Sequence, residues 1–376
     1  MTHHKREKIA IIGSSIAGLA SAIGCANQGY EVHVFGKLPE KLQGGIQLAP
    51  NGFRALDDLG LLDTAKKRMT DLSAIEIRSM RTNALLAEVD HEISHSAKRN
   101  YASMRRIDLI HLMHDELRKM PSVKFHDQPV ISMHQTDKAI TLHLKEGKQA
   151  SFDFAIGADG RAGLSRQLVV GTAQTNSSDY VALRAIGNAS HLPPSFHTKR
   201  TQLWLGDGAH IVHYPLAQNE VNLVVCMARP HLAPHEAIRH ITKNAPLLSA
   251  LCDTDINWHM TDLPKAELVP VWRRQRLMLI GDAAHFMPPH LAQGAGQTLQ
   301  DAASLSKALS ADDDIISITK SWITSRRQEL APIVRRAEDT GAIMRLRGPI
   351  ARLRNFAIDL GGAKMIENWL NQVWRD

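Results

Sequence analysis

The sequence predicts an α/β protein: a Rossmann-like dinucleotide-binding domain, an inserted and mainly antiparallel β-sheet domain, and C-terminal helices. Three observations predict it. A glycine-bearing turn, Gly13-Ser-Ser-Ile-Ala-Gly18, follows a short apolar run near the start. A second, Leu279-Ile-Gly-Asp-Ala-Ala-His285, leads into Gln293-Gly-Ala-Gly-Gln297 near the other end. Between them, from about 172 to 270, short alternating runs are bounded by Gly, Pro and Asn, the pattern of an antiparallel sheet. A chain of 376 residues can form two domains, or one with a large insertion.

Lys8-Ile-Ala-Ile-Ile12 reads as a buried parallel strand, Leu19–Gln28 as a helix stopped by Gly29, and Glu31–Phe35 as the next strand. This is a βαβ unit of the expected length. Gly13 permits the tight turn and Gly18 lets helix and strand pack closely. Ser15 is small enough for a pyrophosphate to approach, and its hydroxyl is expected to donate to phosphate. The helix N-terminus at Ile16 and Ala17 would then carry the anion. The acid expected at the end of the second strand, for an adenosine ribose, is missing. Gly36 stands there, followed by Lys37 as a candidate contact.

At the other end, Arg276–Asp282 reads as a strand ending in an acid, and Thr298–Leu309 as a helix. Asp282 can accept hydrogen bonds from ribityl hydroxyls. Gly294, Ala295 and Gly296 open the helix, so its first amides would face a flavin ring or its pyrophosphate. Two such turns at opposite ends of one chain suit a long ligand held at both ends. That points to a flavin dinucleotide rather than to a nicotinamide alone.

Tyr180–Ile186, Thr201–Leu205, His210–Tyr214 and Val221–Met227 read as strands, joined by a piece from about 72 to 103. They would roof a substrate pocket. Along a strand His210, Val212 and Tyr214 share one face and His213 points the other way. His210 and Tyr214 are the pair that reaches one pocket. A histidine with pKa ~6.5 can take a phenol proton at neutral pH and make the ring electron-rich. The alternatives are a sheet histidine satisfied by its neighbours, or His213 as the base.

Read together, these motifs resemble the single-component, FAD-dependent aromatic hydroxylases of the 4-hydroxybenzoate hydroxylase fold, nearest the salicylate and 3-hydroxybenzoate branch. The likeness runs from about 8 to 345. Besides the two turns it includes Gly45-Ile-Gln-Leu-Ala-Pro-Asn51, Arg106-Ile-Asp-Leu109, Ile156-Gly-Ala-Asp-Gly160, Tyr180 with Arg184, Trp204 through Pro215, and Trp272. The resemblance implies FAD contacts from Arg106 near the pyrophosphate and from Gln47 and Leu48 along the flavin. It puts Asp159 and Gly160 in a motif shared by FAD and NAD(P)H binding, and makes His210 the active-site histidine. The family's serine three residues after that glycine is replaced by Gly163, with Ser165 as a substitute and Arg166 where an arginine is expected. His285 and His290 would line the flavin end as positioning residues. The implied organisation is an FAD-binding domain of 1–71, 104–171 and 272–345, a substrate domain of 72–103 and 172–271, and a helical tail of 346–376.

The implied activity is hydroxylation of a phenol, hydroxybenzoate or N-heteroaromatic acid with NADH or NADPH and O₂, through a flavin hydroperoxide. A quinone-precursor hydroxylase of the same fold is one alternative. A degenerate flavin-binding regulator, suggested by Ser15, Gly36 and Gly163, is the other. Composition (44% hydrophobic, 22% charged) is that of a globular protein, and no apolar run spans a bilayer. The polar N-terminus shows no signal peptide, and three scattered cysteines have no disulfide or metal spacing. No metal is expected and a cytoplasmic setting fits. The net charge of +7 attracts anionic ligands, but with 5% aromatics nothing indicates nucleic-acid binding. Ile315–Met344 reads as a long helix, broken near Gly348-Pro349. The basic amphipathic tail Ile350–Leu360 is expected to pack on the body or a partner subunit, with membrane contact a minor reading. A monomer or homodimer is expected.

Overall fold

The computed structural model describes residues 7–91, 100–171, 178–252 and 256–374. The N-terminal residues read for a signal peptide, the stretches 92–99 and 172–177 at two expected domain boundaries, and the end of the tail at 375–376 lie outside them.

Lys8–Ile12 is an inner strand of a six-stranded sheet. It runs parallel to Glu31–Phe35 on one side and Phe154–Gly157 on the other. Leu277–Leu279 and Val123–His126 extend the sheet in parallel, and Arg273–Arg274 closes one edge antiparallel. Ile9, Ala10 and Ile11 are completely buried, as an apolar run covered on both faces must be.

The helix after the first turn spans Ile16–Asn27, three residues earlier than expected. Ser15 is its N-cap and accepts from the Gly18 amide, so the end of the turn is already helical. The second glycine loop behaves alike: its helix is Gly294–Leu309, beginning at the glycines themselves. The Arg106–Leu117 helix likewise starts one residue before the expected Ile107. The two turn-linked helices pack together because small residues meet. The Ser306 hydroxyl donates to the Gly24 carbonyl at 3.0 Å, and a side chain on Gly281 would begin 2.7 Å from the Ala17 methyl. Both N-termini thus lie together at the carboxyl edge of the parallel sheet, where such folds bind ligands.

The middle of the chain forms a seven-stranded sheet. Its order is His259–Asp262, Tyr180–Asn188, Glu220–Ala228, His210–Leu216, Arg200–Leu205, Ala74–Ser79, Leu85–Asp90. Every pairing is antiparallel except Ala74–Ser79 beside Arg200–Leu205. Of the early segment expected to join it, about 72–103, Ala74–Ser79 and Leu85–Asp90 do, while Ala102–Arg105 pairs instead with Gly45–Leu48 in a separate small sheet. Cross-strand register puts Leu205, His210, Cys226 and Ala182 on one face. The other face presents Leu183, Leu223, Val225, Ile211 and Trp204 to a separate core with Phe196, Ile238 and Leu248. The His210 face turns toward the dinucleotide domain. The Gly45 amide donates to Asn222 Oδ1 at 2.6 Å and Gln47 Nε2 to Thr201 Oγ1 at 2.5 Å, while Arg105 pairs with Glu220.

Ile315–Met344 is one helix, capped by Asp314, whose carboxylate accepts from the Ile316 and Ser317 amides. A second helix, Gly348–Asn371, is kinked at Gly362 and runs past the expected end. Ala351 and Ile358 bury their side chains, and Arg354 donates to the Met344 and Gly206 carbonyls. Among the described residues no helix is long and apolar enough to cross a membrane.

Candidate active site

Two walls of a candidate site lie on the elements where the two sheets meet. The first is built from the paired glycine turns. By helix geometry the Ile16 and Ala17 amides have no intrahelical acceptor. Neither do those of Gly294, Ala295 and Gly296, and neither helix carries an acid in its first turn. The second helix has no side-chain cap at all. A Cβ at Gly160 or Gly294 would meet nothing within 4 Å, so both border open space. Asp282 lies beside this space with no hydrogen-bond partner among the described residues. Burial raises its pKa, and Arg106 pulls it back down. Arg106 itself is solvent-exposed but walled by protein, as in an open cleft. Desolvation lowers its pKa and Asp282 raises it. Free amides, an unpartnered acid and a cationic guanidinium around open space fit a flavin dinucleotide with its ribityl chain and pyrophosphate.

Several expected contacts are placed differently. The Ser15 hydroxyl is committed within the protein: it donates to the Ala158 carbonyl at 3.0 Å while capping the helix. Its hydroxyl is therefore already engaged, and the helix amides remain free to meet an anion. Leu48 is fully buried in the core, so its backbone, and not its side chain, can border a flavin. Gln47 is buried and holds Thr201 across the domain junction. Gly36 has φ +131°, and the Ser14 hydroxyl donates to its carbonyl at 2.6 Å. An acidic side chain there would be strained and pressed on Ser14. Lys37 is exposed at the rim.

Gly163 is closely fitted to its neighbour. A Cβ there would lie 2.2–2.6 Å from the Asp159 carboxylate. Asp159 folds over the start of the Leu164–Val170 helix and accepts from the Ser165 amide at 2.9 Å, leaving Oδ1 buried and unpartnered. Arg166 is buried and pairs with Glu267, tying this helix to the body.

The second wall is the His210 face of the large sheet. His210 is 2% exposed and Tyr214 5% exposed. Tyr214 packs against Gly45, and burial pushes its pKa up, so it stays a phenol at neutral pH. His213 points the other way, against Phe196 and Trp204, with burial pushing its pKa down to about 3. It is a core residue on the face away from His210. His210 also departs from an ordinary imidazole. Burial lowers its pKa well below the usual value, and His290, Arg345 and Arg354 lower it further.

His290 is the site residue that the sequence placed too loosely. It comes from the turn Pro289–Leu291, and its ring lies 5.3 Å from that of His210. Its signal was the Pro288-Pro289 pair, which stiffens the turn. His285, expected beside it, is elsewhere. Its Nε2 meets Asp301 at 2.5 Å in a buried network with Arg326 and the Gly281 amide. It braces the Asp282 turn from behind.

This geometry fits a flavin-dinucleotide oxidoreductase with two buried histidines, His210 and His290, packed together beside the large sheet. Comparison with known proteins agrees. The chain belongs to the family described as FAD binding domain, whose model matches residues 6–312. It is 29% identical over 363 residues to 3-hydroxybenzoate 6-hydroxylase of Klebsiella oxytoca, covering 92% of this chain and 90% of that protein. It is 30% identical to 3-amino-4-hydroxybenzoate 2-monooxygenase PtnB3 of Streptomyces platensis, covering 94% and 93%. In fold it is similar to Klebsiella pneumoniae HpxO, solved with FAD and uric acid. That similarity has TM-score 0.82, with 20% identity over 100% of this chain and 97% of that one. The chain is an FAD-dependent aromatic monooxygenase.

Proposed function

We propose that this enzyme hydroxylates a small phenolic, hydroxybenzoate or N-heteroaromatic acid. It consumes NADH or NADPH and O₂ and releases NAD(P)⁺ and water. When bound, FAD supplies the redox chemistry, carrying two electrons from nicotinamide to oxygen. Asp282, Arg106 and the amides at Ile16, Ala17 and Gly294–Gly296 would hold it. The observation that carries the reading is His210. It is a neutral, buried imidazole on the sheet face that meets the dinucleotide domain, and its Nδ1 lacks a partner among the described residues. Such an imidazole accepts the substrate's phenolic hydrogen bond and so enriches the ring in electrons; its lowered pKa makes it a hydrogen-bond acceptor rather than a strong base. Tyr214, held as a phenol, orients the substrate beside it. Burial between sheet and helices keeps water from the reacting ring.

A panel of aromatic acids tests this directly, scored for stimulation of NAD(P)H oxidation by the flavin-loaded enzyme. Phenolic acids should stimulate, and the same rings without the hydroxyl should not. A panel with no stimulating member overturns the proposal.

One observation favours a second reading, in which the phenol is hydrophobic and delivered from a lipid surface. Ile350, Leu353, Phe356 and Leu360 form a stripe on the C-terminal helix with exposures of 59, 64, 62 and 79%. Co-sedimentation with anionic liposomes separates the two. Equal pelleting of the native chain and a Leu353→Glu, Phe356→Glu variant removes the lipid reading.

A further inference from the structure

His210, Cys226 and His290 bring one ligating atom each to within 4.8 Å of one another, and all three residues are buried. They come from three distant parts of the chain. His210 and Cys226 are direct cross-strand partners on the inner face of the large sheet. His290 reaches them from the proline-bounded turn, its ring pressed on the backbone of Gly341, where a Cβ would lie 2.5 Å away. Strand pairing and a stiff turn fix all three before any ligand arrives. His210 Nδ1 and both nitrogens of His290 are buried with no hydrogen-bond partner among the described residues. Cys226 is a free thiol. Buried polar atoms left unpaired need a partner, which an ion or a water can supply.

We propose that His210, Cys226 and His290 form a binding site for a borderline-soft divalent cation of the zinc type, and that the bound ion inhibits the enzyme by occupying the His210 imidazole. Two nitrogens and one sulfur with an open fourth position are a zinc donor set. Ligand bonds of ~2.0–2.3 Å require only that the side chains close in by roughly 1 Å. Binding exchanges the Cys226 thiol proton for the ion, and no oxidation or reduction is involved. Burial pushes the Cys226 thiol up to about 12, while Arg184 and Arg345 pull it down. Arg345 also stands near both imidazoles. These arginines repel a dication yet favour the thiolate that would bind it. The site therefore selects ions whose bond to sulfur outweighs their charge, and rejects magnesium and calcium.

The inhibitory part rests on His210 acting in hydroxylation; the binding part does not. The test uses metal-freed, flavin-loaded full chain titrated with Zn²⁺ and, separately, Co²⁺. The expected result is one ion per chain, a thiolate-to-cobalt charge-transfer band, and loss of product formation with zinc. Cys226→Ser should abolish the band, and His290→Gln should weaken zinc binding about ten-fold or more. Cys252→Ser should keep both. Retention of flavin absorbance reports folding of each variant; should Cys226→Ser lose it, His290→Gln decides. A wild-type chain without the band, or a band and zinc affinity unchanged by Cys226→Ser and His290→Gln, overturns the site. A chain that hydroxylates no aromatic acid yet shows the band defeats the enzymatic reading alone.

Discussion

A serine three residues after Gly160, usual in proteins that this chain resembles, meets a filled space here. The Asp159 carboxylate already fills the space above Gly163. Gly163→Ser must displace that carboxylate from the Ser165 amide, at a cost of about 1–3 kcal/mol. A lower thermal midpoint and weaker FAD retention are expected; an unchanged midpoint would show that Asp159 moves freely. At His210 the expectation of an ordinary imidazole gives way to one kept neutral by burial. The plot of kcat against pH should therefore show no rising limb near 6.5 from this residue. His210→Ala should leave NAD(P)H oxidation running while product falls and hydrogen peroxide rises. Unchanged coupling of oxidation to product would exclude its role.

The helix Gly294–Leu309 is held by one acid. Asp301, fully buried, accepts from Arg326 on the next helix, from the Gly281 amide, and meets His285. Burial raises its pKa, but His285 and Arg326 outweigh burial and hold it below the usual carboxylate value. Its stabilisation is full above pH ~3.9 and is lost only as pH falls through the depressed folded value. Arg326→Leu leaves this charge without its arginine partner and should cost about 3–5 kcal/mol. Urea unfolding measures the loss, and a cost under ~1 kcal/mol would show the network to be dispensable. The sequence offered the helix and its glycines but not this brace, because residues 281, 285, 301 and 326 meet only when the helices pack.

At the scale of the molecule, three imidazoles sit where charge is excluded. Burial lowers His210, and pushes His213 and His290 down to about 3. Their unfolded counterparts take protons below pH ~6.5, and the folded ones do not. Stability therefore falls as pH drops from 6.5 toward the folded values. The slope is on the order of 1 kcal/mol per pH unit for each imidazole. Thermal midpoints between pH 7.5 and 5 should show it, and His213→Leu should flatten the slope without touching the pocket. An unaltered slope in that variant would mean that His213 is solvated in the fold.

The sequence by itself determined the parallel sheet, the two cofactor turns, the strand carrying His210, and the opposite facing of His213. Strand alternation and helix N-termini are local geometry, written in consecutive residues. Tertiary structure alone decided what each polar atom has left to offer. It spent the Ser15 hydroxyl on Ala158, turned His285 back to Asp301, and closed the Asp159 carboxylate over Gly163. It also set His290 and Cys226 against His210. Those outcomes depend on which distant groups are brought within hydrogen-bond distance and how far water is excluded, and no spacing along the chain encodes either.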